Sequence, residues 1–203
     1  MDLFEGISDR ELWVRAAQHY GEPFAELFRR HGPAIYNHFF RRTASWSTAE
    51  ELTSVVFLQA WRKRRKVRIS SDSVLPWLLA VAHTVLRDTS RSQRRQRRLL
   101  AKVPPLPPVT FDEDAGQRLD DERRMAQVLE SVRSLRLEER EVLALCDWTG
   151  LSQSEAAAIL GIPAGTVRSR LARAHDHIRT GAPAGRSGVS FPIRSPKEEY
   201  LRP

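Results

Sequence analysis

The sequence predicts an all-α protein of two small helical domains joined by a proline-rich, then acidic, linker, the C-terminal one a helix-turn-helix. Three observations carry this. Apolar residues recur at three- and four-residue spacing along most of the 203 residues, and no alternating stretch long enough for a strand pattern competes. Ser-x-x-Glu helix starts stand ahead of these runs. Residues 103–122 then break the pattern, with prolines at 104, 105, 107 and 108. Proline fixes its backbone and donates no amide hydrogen, so no compact helix passes through that point.

The elements follow in order. Ser8 and Glu11 form a capping box ahead of Leu12, Ala16 and Ala17. Phe24, Leu27, Phe28, Ile35, Tyr36 and Phe39 give one helical face, with a bend expected near Gly32-Pro33. Ser47 and Glu50 form a further box, opening a helix with Leu52, Val56, Phe57, Ala60 and Trp61. After the polar residues 66–73, a helix starting near Leu75 passes Val81, Val85 and Leu86 into the basic run 91–98. Phe28, Phe57 and Trp77 are expected in the core. Helix resumes near Arg123 with Met125, Val128, Leu129 and Val132, and again over residues 138–147. The expected division is an N-terminal helical extension (1–22), a first unit (23–100), a linker (101–122), a second unit (123–180) and a flexible tail (181–203), each unit with its own core.

Residues 138–179 are the most specific stretch. Ser152 and Glu155 make a capping box before Ala156, Ala157, Ile159 and Leu160. Gly161 suits a tight helix-to-helix turn, Pro163 suits the start of the next helix, and small Ala157 lets the two helices approach closely. Ile162, Val167, Leu171, Ala174 and Ile178 form the buried stripe. With Val167 and Leu171 inward, steps of about 100° turn Gly165, Arg168, Ser169, Ala172 and Arg173 outward and leave Arg170 on the flank. Small residues plus guanidinium forks suit a helix that enters the major groove of DNA. The plain alternative is an αα-hairpin with a solvated basic face.

Composition bounds the rest. The chain is 41% hydrophobic with a mean hydropathy of −0.45. It contains no apolar run of about 18 residues, so no membrane insertion is expected. The start, MDLFEGISDRE, is acidic and lacks a basic-then-apolar signal segment, so the expected location is cytoplasmic. Cys146 alone cannot form an internal disulfide, and the six histidines show no zinc-like partner set. No cofactor and no small-molecule substrate are expected. Residues 23–100 hold 16 Lys/Arg against 5 Asp/Glu, or +11, whereas residues 123–180 carry +2. A basic first unit calls for a polyanion, and the helix-turn-helix makes DNA the choice over a lipid surface.

Residues 24–28 (FAELF), 49–53 (AEELT), 56–61 (VFLQAW) and Trp77-Leu78 through Arg87-Asp88 resemble sigma domain 2; residues 151–174, with 165–170 (GTVRSR) and Arg173-Ala174, resemble sigma domain 4. The order of modules is similar to that of the extracytoplasmic-function (ECF, group 4) sigma factors of the sigma-70 family. The resemblance implies an alternative sigma factor that binds core RNA polymerase through its β and β′ subunits, together with promoter DNA, and takes an anti-sigma factor as a further partner. It implies −35 contacts by Gly165, Thr166, Arg168, Ser169, Arg170 and Arg173. It implies capture of an unstacked −10 base at the loop 66–74 and along the following helix, by Arg64, Arg65, Lys66, Arg68, His83, Thr84, Arg87 and Arg91. Polymerase contacts fall to Glu50, Glu51, Ser54 and Gln59. The chain departs from the family at Ser54-Val55, where Gln-Glu is common, and at Thr84, where Asn often stands.

Two other readings compete. A dimeric regulator of the quorum-sensor type shares the helix-turn-helix, but would normally carry strands alternating with helices ahead of it. A DNA-processing enzyme needs convergent carboxylates, and Glu50, Glu51 and Asp88 form no such motif.

Overall fold

The computed structural model describes residues 4, 6–18, 21–100 and 115–181, and for 90–100, 115 and 181 the backbone alone. Every regular element among them is helical. The expected linker up to residue 114 and the expected tail beyond 181 lie outside the described residues.

Helix α1 (Asp9–Gln18) starts where Ser8 Oγ accepts the Glu11 amide at 3.2 Å. Helix α2 (Glu22–Thr43) runs through Gly32-Pro33 as one element and ends at Ala44, whose φ of 51° closes its amide on the Phe40 carbonyl. The chain reverses at once into α3 (Trp46–Lys63). Its N-cap is Ser45, which accepts from the Thr48 amide at 3.3 Å. The expected Ser47–Glu50 box is therefore displaced by two residues. Ser45 has the extended backbone an N-cap requires, while Ser47 already lies in the first turn. Helix α4 (Leu75–Leu100) follows the loop 66–74, with Ser73 Oγ accepting the Leu75 amide at 3.2 Å.

Leu27, Ile35, Phe39, Val56, Ala60, Leu78 and Leu79 are buried where α2, α3 and α4 meet. Leu12, Trp13 and Ala16 are buried in the same place, so α1 is part of this core. Phe57 is buried as expected. Phe28 sits edge-on to it at 4.7 Å yet remains 40% exposed, at the margin of the core.

The second half comprises α5 (Ala115–Ser131), α6 (Leu137–Leu143), a π-helical turn (Ala144–Trp148), α7 (Gln153–Leu160) and α8 (Ala164–Gly181). Residues 115–122 were expected in the linker and are helical. Beyond the prolines, the acidic side chains pair along the helix, Asp120 with Arg123 at 3.4 Å and Asp121 with Arg124 at 3.7 Å.

Two separate cores were expected; the apolar packing is instead continuous. The cluster of the first four helices extends into Met125, Val142, Leu145, Leu151, Ala156, Ala157 and Val167, because α5, the π-helical turn and α7 lie against α2 and α4. A smaller cluster of Val132, Leu135, Leu143, Ala144, Trp148 and Ala174 belongs to the second half. Two polar contacts join the halves: Arg41 donates to the Trp148 carbonyl, and the Trp46 amide donates to Glu122 Oε1 at 2.8 Å.

Candidate nucleic-acid interface

Helices α7 and α8 form the tight pair the sequence implies. The Glu155 amide donates to Ser152 Oγ at 3.2 Å, and Glu155 Oε2 accepts from the Ser152 amide at 2.8 Å. The Ser152 hydroxyl and amide together hold the Glu155 carboxyl below the usual carboxylate range. Gly161 takes φ 66°, and the Ile162 amide closes on the Ala157 carbonyl at 3.2 Å. The Pro163 carbonyl, immediately before α8, accepts from Thr166 and Val167.

The face calculated for α8 is the face observed. Val167 and Ala174 are buried, Leu171 is half-buried, and Gly165, Arg168, Ser169, Ala172 and Arg173 are exposed. Thr166 and Arg170 lie on the flanks, half-buried. Ile178, expected to end the buried stripe, is 39% exposed. Arg168 Nε stands 3.4 Å from Gln153 Oε1 at the start of α7, so its guanidinium projects between the two helices' outer ends. Arg173 is placed differently: its Nε lies 3.6 Å from Oε1 of the buried Glu139.

In the first half, Arg65, Lys66 and Arg68 are exposed along the start of the loop. Arg64 does not join them. Its guanidinium stacks 3.3 Å over the Trp61 ring and donates to the carbonyls of Trp61 and Ala16, which makes it a brace between α3 and α1. Thr84 is exposed on α4 and bonds back to the Ala80 carbonyl. The Arg91 side chain is outside the described set.

His83 and Arg87 line a cleft of about 380 Å³ between the halves, together with Arg42 and, from α6, Arg140 and Glu141. Burial drives the His83 imidazole below its ordinary value; Arg42 and Arg87 push the same way, while Glu141 opposes them. Burial also lowers Arg42. His83 is thus half-buried against the second half, while Arg87 stands at the exposed mouth of the cleft.

On α3, Ala49, Leu52, Thr53, Val56, Phe57 and Ala60 point inward, which leaves Glu50, Glu51 and Ser54 exposed and Gln59 half-buried at the margin. Val55 and Leu58 share the exposed face at 40% and 47% exposure, flanking Ser54. The sequence reading noted Val55 only as a departure from the family and left both out of the polymerase contacts; the signal was the inward set itself, since the helical repeat assigns 55 and 58 to the outside.

No group of His, Cys, Asp and Glu among the described residues could hold a metal ion, and no described helix is long and apolar enough to cross a membrane.

Residues 27–96 match the family described as Sigma-70 region 2, and residues 125–178 match Sigma-70, region 4. The chain is 34% identical over 135 residues to the ECF RNA polymerase sigma factor SigC of Mycobacterium tuberculosis (strain CDC 1551 / Oshkosh), covering 66% of this chain and 70% of that protein. Its fold is similar to that of CnrH solved in complex with the cytosolic domain of CnrY (TM-score 0.65, 24% identity, 85% of this chain and 95% of that one). It is also similar to the sigma factor RpoE of Bartonella quintana, solved with the anti-sigma factor NepR (TM-score 0.61, 22% identity, 80% and 98%).

Proposed function

From the premise that the chain belongs to the ECF sigma factors of the sigma-70 family, we propose how its surfaces divide the work of an alternative sigma factor, a subunit that brings core RNA polymerase to promoters. The observation that carries the reading is the outward face of α8. Gly165, Ser169 and Ala172 let the backbone approach a groove, and Arg168 offers a planar fork of donors to a guanine edge. Thr166, Arg170 and Arg173 on the same helix supply phosphate contacts around it. This face reads the −35 element.

The loop 66–74 and α4 handle the −10 element. Arg65, Lys66 and Arg68 hold the displaced strand by charge, while His83, Thr84, Arg87 and Arg91 line the adjoining helix. Arg64 supports them from behind. Opening a duplex step costs a few kcal/mol, which capture of the unstacked base returns. Glu50, Glu51, Ser54 and Gln59, with Val55 and Leu58 between them, meet the β′ clamp of the polymerase. A Val at 55 makes that contact more apolar than the polar pair common in the family.

The chain works in the cytoplasm, with an anti-sigma factor as a further partner, as RpoE has in NepR. Two units, 9–100 and 115–181, are the operating parts. A dimeric regulator finds no support, since the first half matches Sigma-70 region 2 and lacks any strand among its described residues.

Footprinting tests the reading. The chain with core polymerase is expected to protect −35 and −10 DNA together, while the chain alone protects neither at physiological salt. Tight sequence-specific protection by the isolated chain would return the dimeric regulator.

A further inference from the structure

The loop 66–74 is tied at both ends to α1, a helix that lies outside the residues matching Sigma-70 region 2. At the near end, Trp13 Nε1 donates to the Val67 carbonyl at 2.9 Å, and Arg64 Nε donates to the Ala16 carbonyl at 2.9 Å. At the far end, Asp9 Oδ2 accepts the Val74 amide at 3.1 Å. Trp13 and Asp9 are 2% and 7% exposed, and Val74 is fully buried.

Asp9 is itself held from a third element. His31 Nε2 on α2 lies 2.5 Å from Oδ2, and Arg30 Nη1 lies 3.4 Å from Oδ1. Arg30 also donates to the carbonyls of Ile7 and Phe4, which fixes the approach to α1. A carboxylate this buried is a poor source of net stability, because desolvation offsets most of its attraction. What such a network does supply is a defined geometry. Residues 9 and 13 are about 6 Å apart along a rigid helix, so α1 sets the spacing of the loop's two anchorage points.

We propose that Asp9 and Trp13 are positioning residues for promoter opening: through Val74 and Val67 they hold the 66–74 loop in the shape that receives the unstacked −10 base. This rests on the proposed −10 role of that loop. A loop held in its receiving shape loses less freedom when the base enters, so the effect falls on opening and not on recruitment.

The test uses the full chain with core polymerase and compares Trp13→Phe, which keeps an aromatic ring in the core but removes the indole N–H together with part of the buried ring, with Asp9→Ala and Asp9→Asn. Closed-complex affinity is measured on duplex promoter, and opening by permanganate reactivity of −10 thymines. Trp13→Phe is expected to lower opening about 5-fold or more, the worth of one hydrogen bond plus the lost indole packing, with recruitment unchanged. On a template already unpaired across the −10 element it should fall within about 2-fold of the parent, since the opening step is bypassed. Asp9→Ala should be more impaired, and Asp9→Asn, which keeps an acceptor for the Val74 amide, should recover most of the difference. Opening by Trp13→Phe at the parent rate overturns the inference, as does an equal defect on the unpaired template. A parent chain that gives no polymerase-dependent opening instead overturns the proposed function beneath it.

Discussion

The Glu139 carboxylate, 2% exposed, is capped from one side by the Arg136 amide at 3.1 Å and faced from the other by Arg173 Nε at 3.6 Å. Arg173 therefore serves the second half as well as any nucleic acid it meets. Arg168 instead reaches Gln153 Oε1 at 3.4 Å, an exposed contact.

Changing each arginine to Ala separates these roles. Arg173→Ala is expected to lower stability by about 1 kcal/mol, since Arg173 is itself largely exposed, and to reduce the salt dependence of binding by about one unit. Arg168→Ala should leave the melting temperature unchanged and relax −35 preference by about 1–3 kcal/mol. Thermal melts beside transcription from −35 variants at several salt concentrations distinguish the two.

Two glycines should respond in opposite directions to Ala. Gly161 sits at φ 66°, where a β-carbon costs about 1 kcal/mol even though it would meet nothing within 4 Å. Gly165 is in ordinary helix with open space around it. Gly165→Ala should therefore stabilise the fold by about 0.5–1 kcal/mol while weakening −35 binding, because the added methyl stands on the approach face. Denaturant unfolding and promoter binding, measured on both variants, check the crossed signs.

His38 gives the fold a pH dependence. It is buried in α2, and burial, with Arg42, His83 and Arg41 adding repulsion, lowers its pKa to about 3. The folded chain thus keeps it neutral where the unfolded chain, with a value near 6.5, takes up a proton. Its contribution is fully present above about pH 6.5 and is lost as pH falls towards 3. From pH 7 to pH 5 the loss is about 2 kcal/mol. Urea unfolding of the parent and His38→Gln at both pH values checks this: the variant should show a shallower fall.

Two polar contacts, Arg41 to Trp148 and Trp46 to Glu122, join the halves beside their apolar packing. The cleft between the halves is lined by Arg42, His83, Arg87 and Arg140, with Glu141 as the opposing charge. The double variant Arg41→Ala/Glu122→Ala is expected to have a larger radius of gyration by small-angle scattering. An unchanged radius would mean that the apolar seam suffices.

The helix pair at 153–181 was legible because each signal acts within a few residues: a cap, a turn glycine, a 3.6-residue stripe. The Ser45 cap was misplaced because Ser47-x-x-Glu50 spells a capping box and Ser45, followed three residues on by Thr48, does not; the abrupt reversal at Ala44 decides for Ser45. Helix at 115–122 was missed because acidic residues read as linker until their arginine partners one turn on are counted. Arg64 looked like part of a basic run, and its attachment to Ala16 is a contact across 48 residues that no local pattern encodes. For the same reason, the continuous core and the cleft that His83 and Arg87 line with residues of the second half were invisible in sequence.

Run-off transcription by core polymerase, with and without the chain, on a panel of promoters altered singly in the −35 and −10 elements tests the central claim most directly. The expected result is initiation that depends on the chain, falls with changes in either element, and shows altered −35 preference with Arg168→Ala. Initiation that ignores both elements, or that is unchanged when the chain is left out, would contradict it.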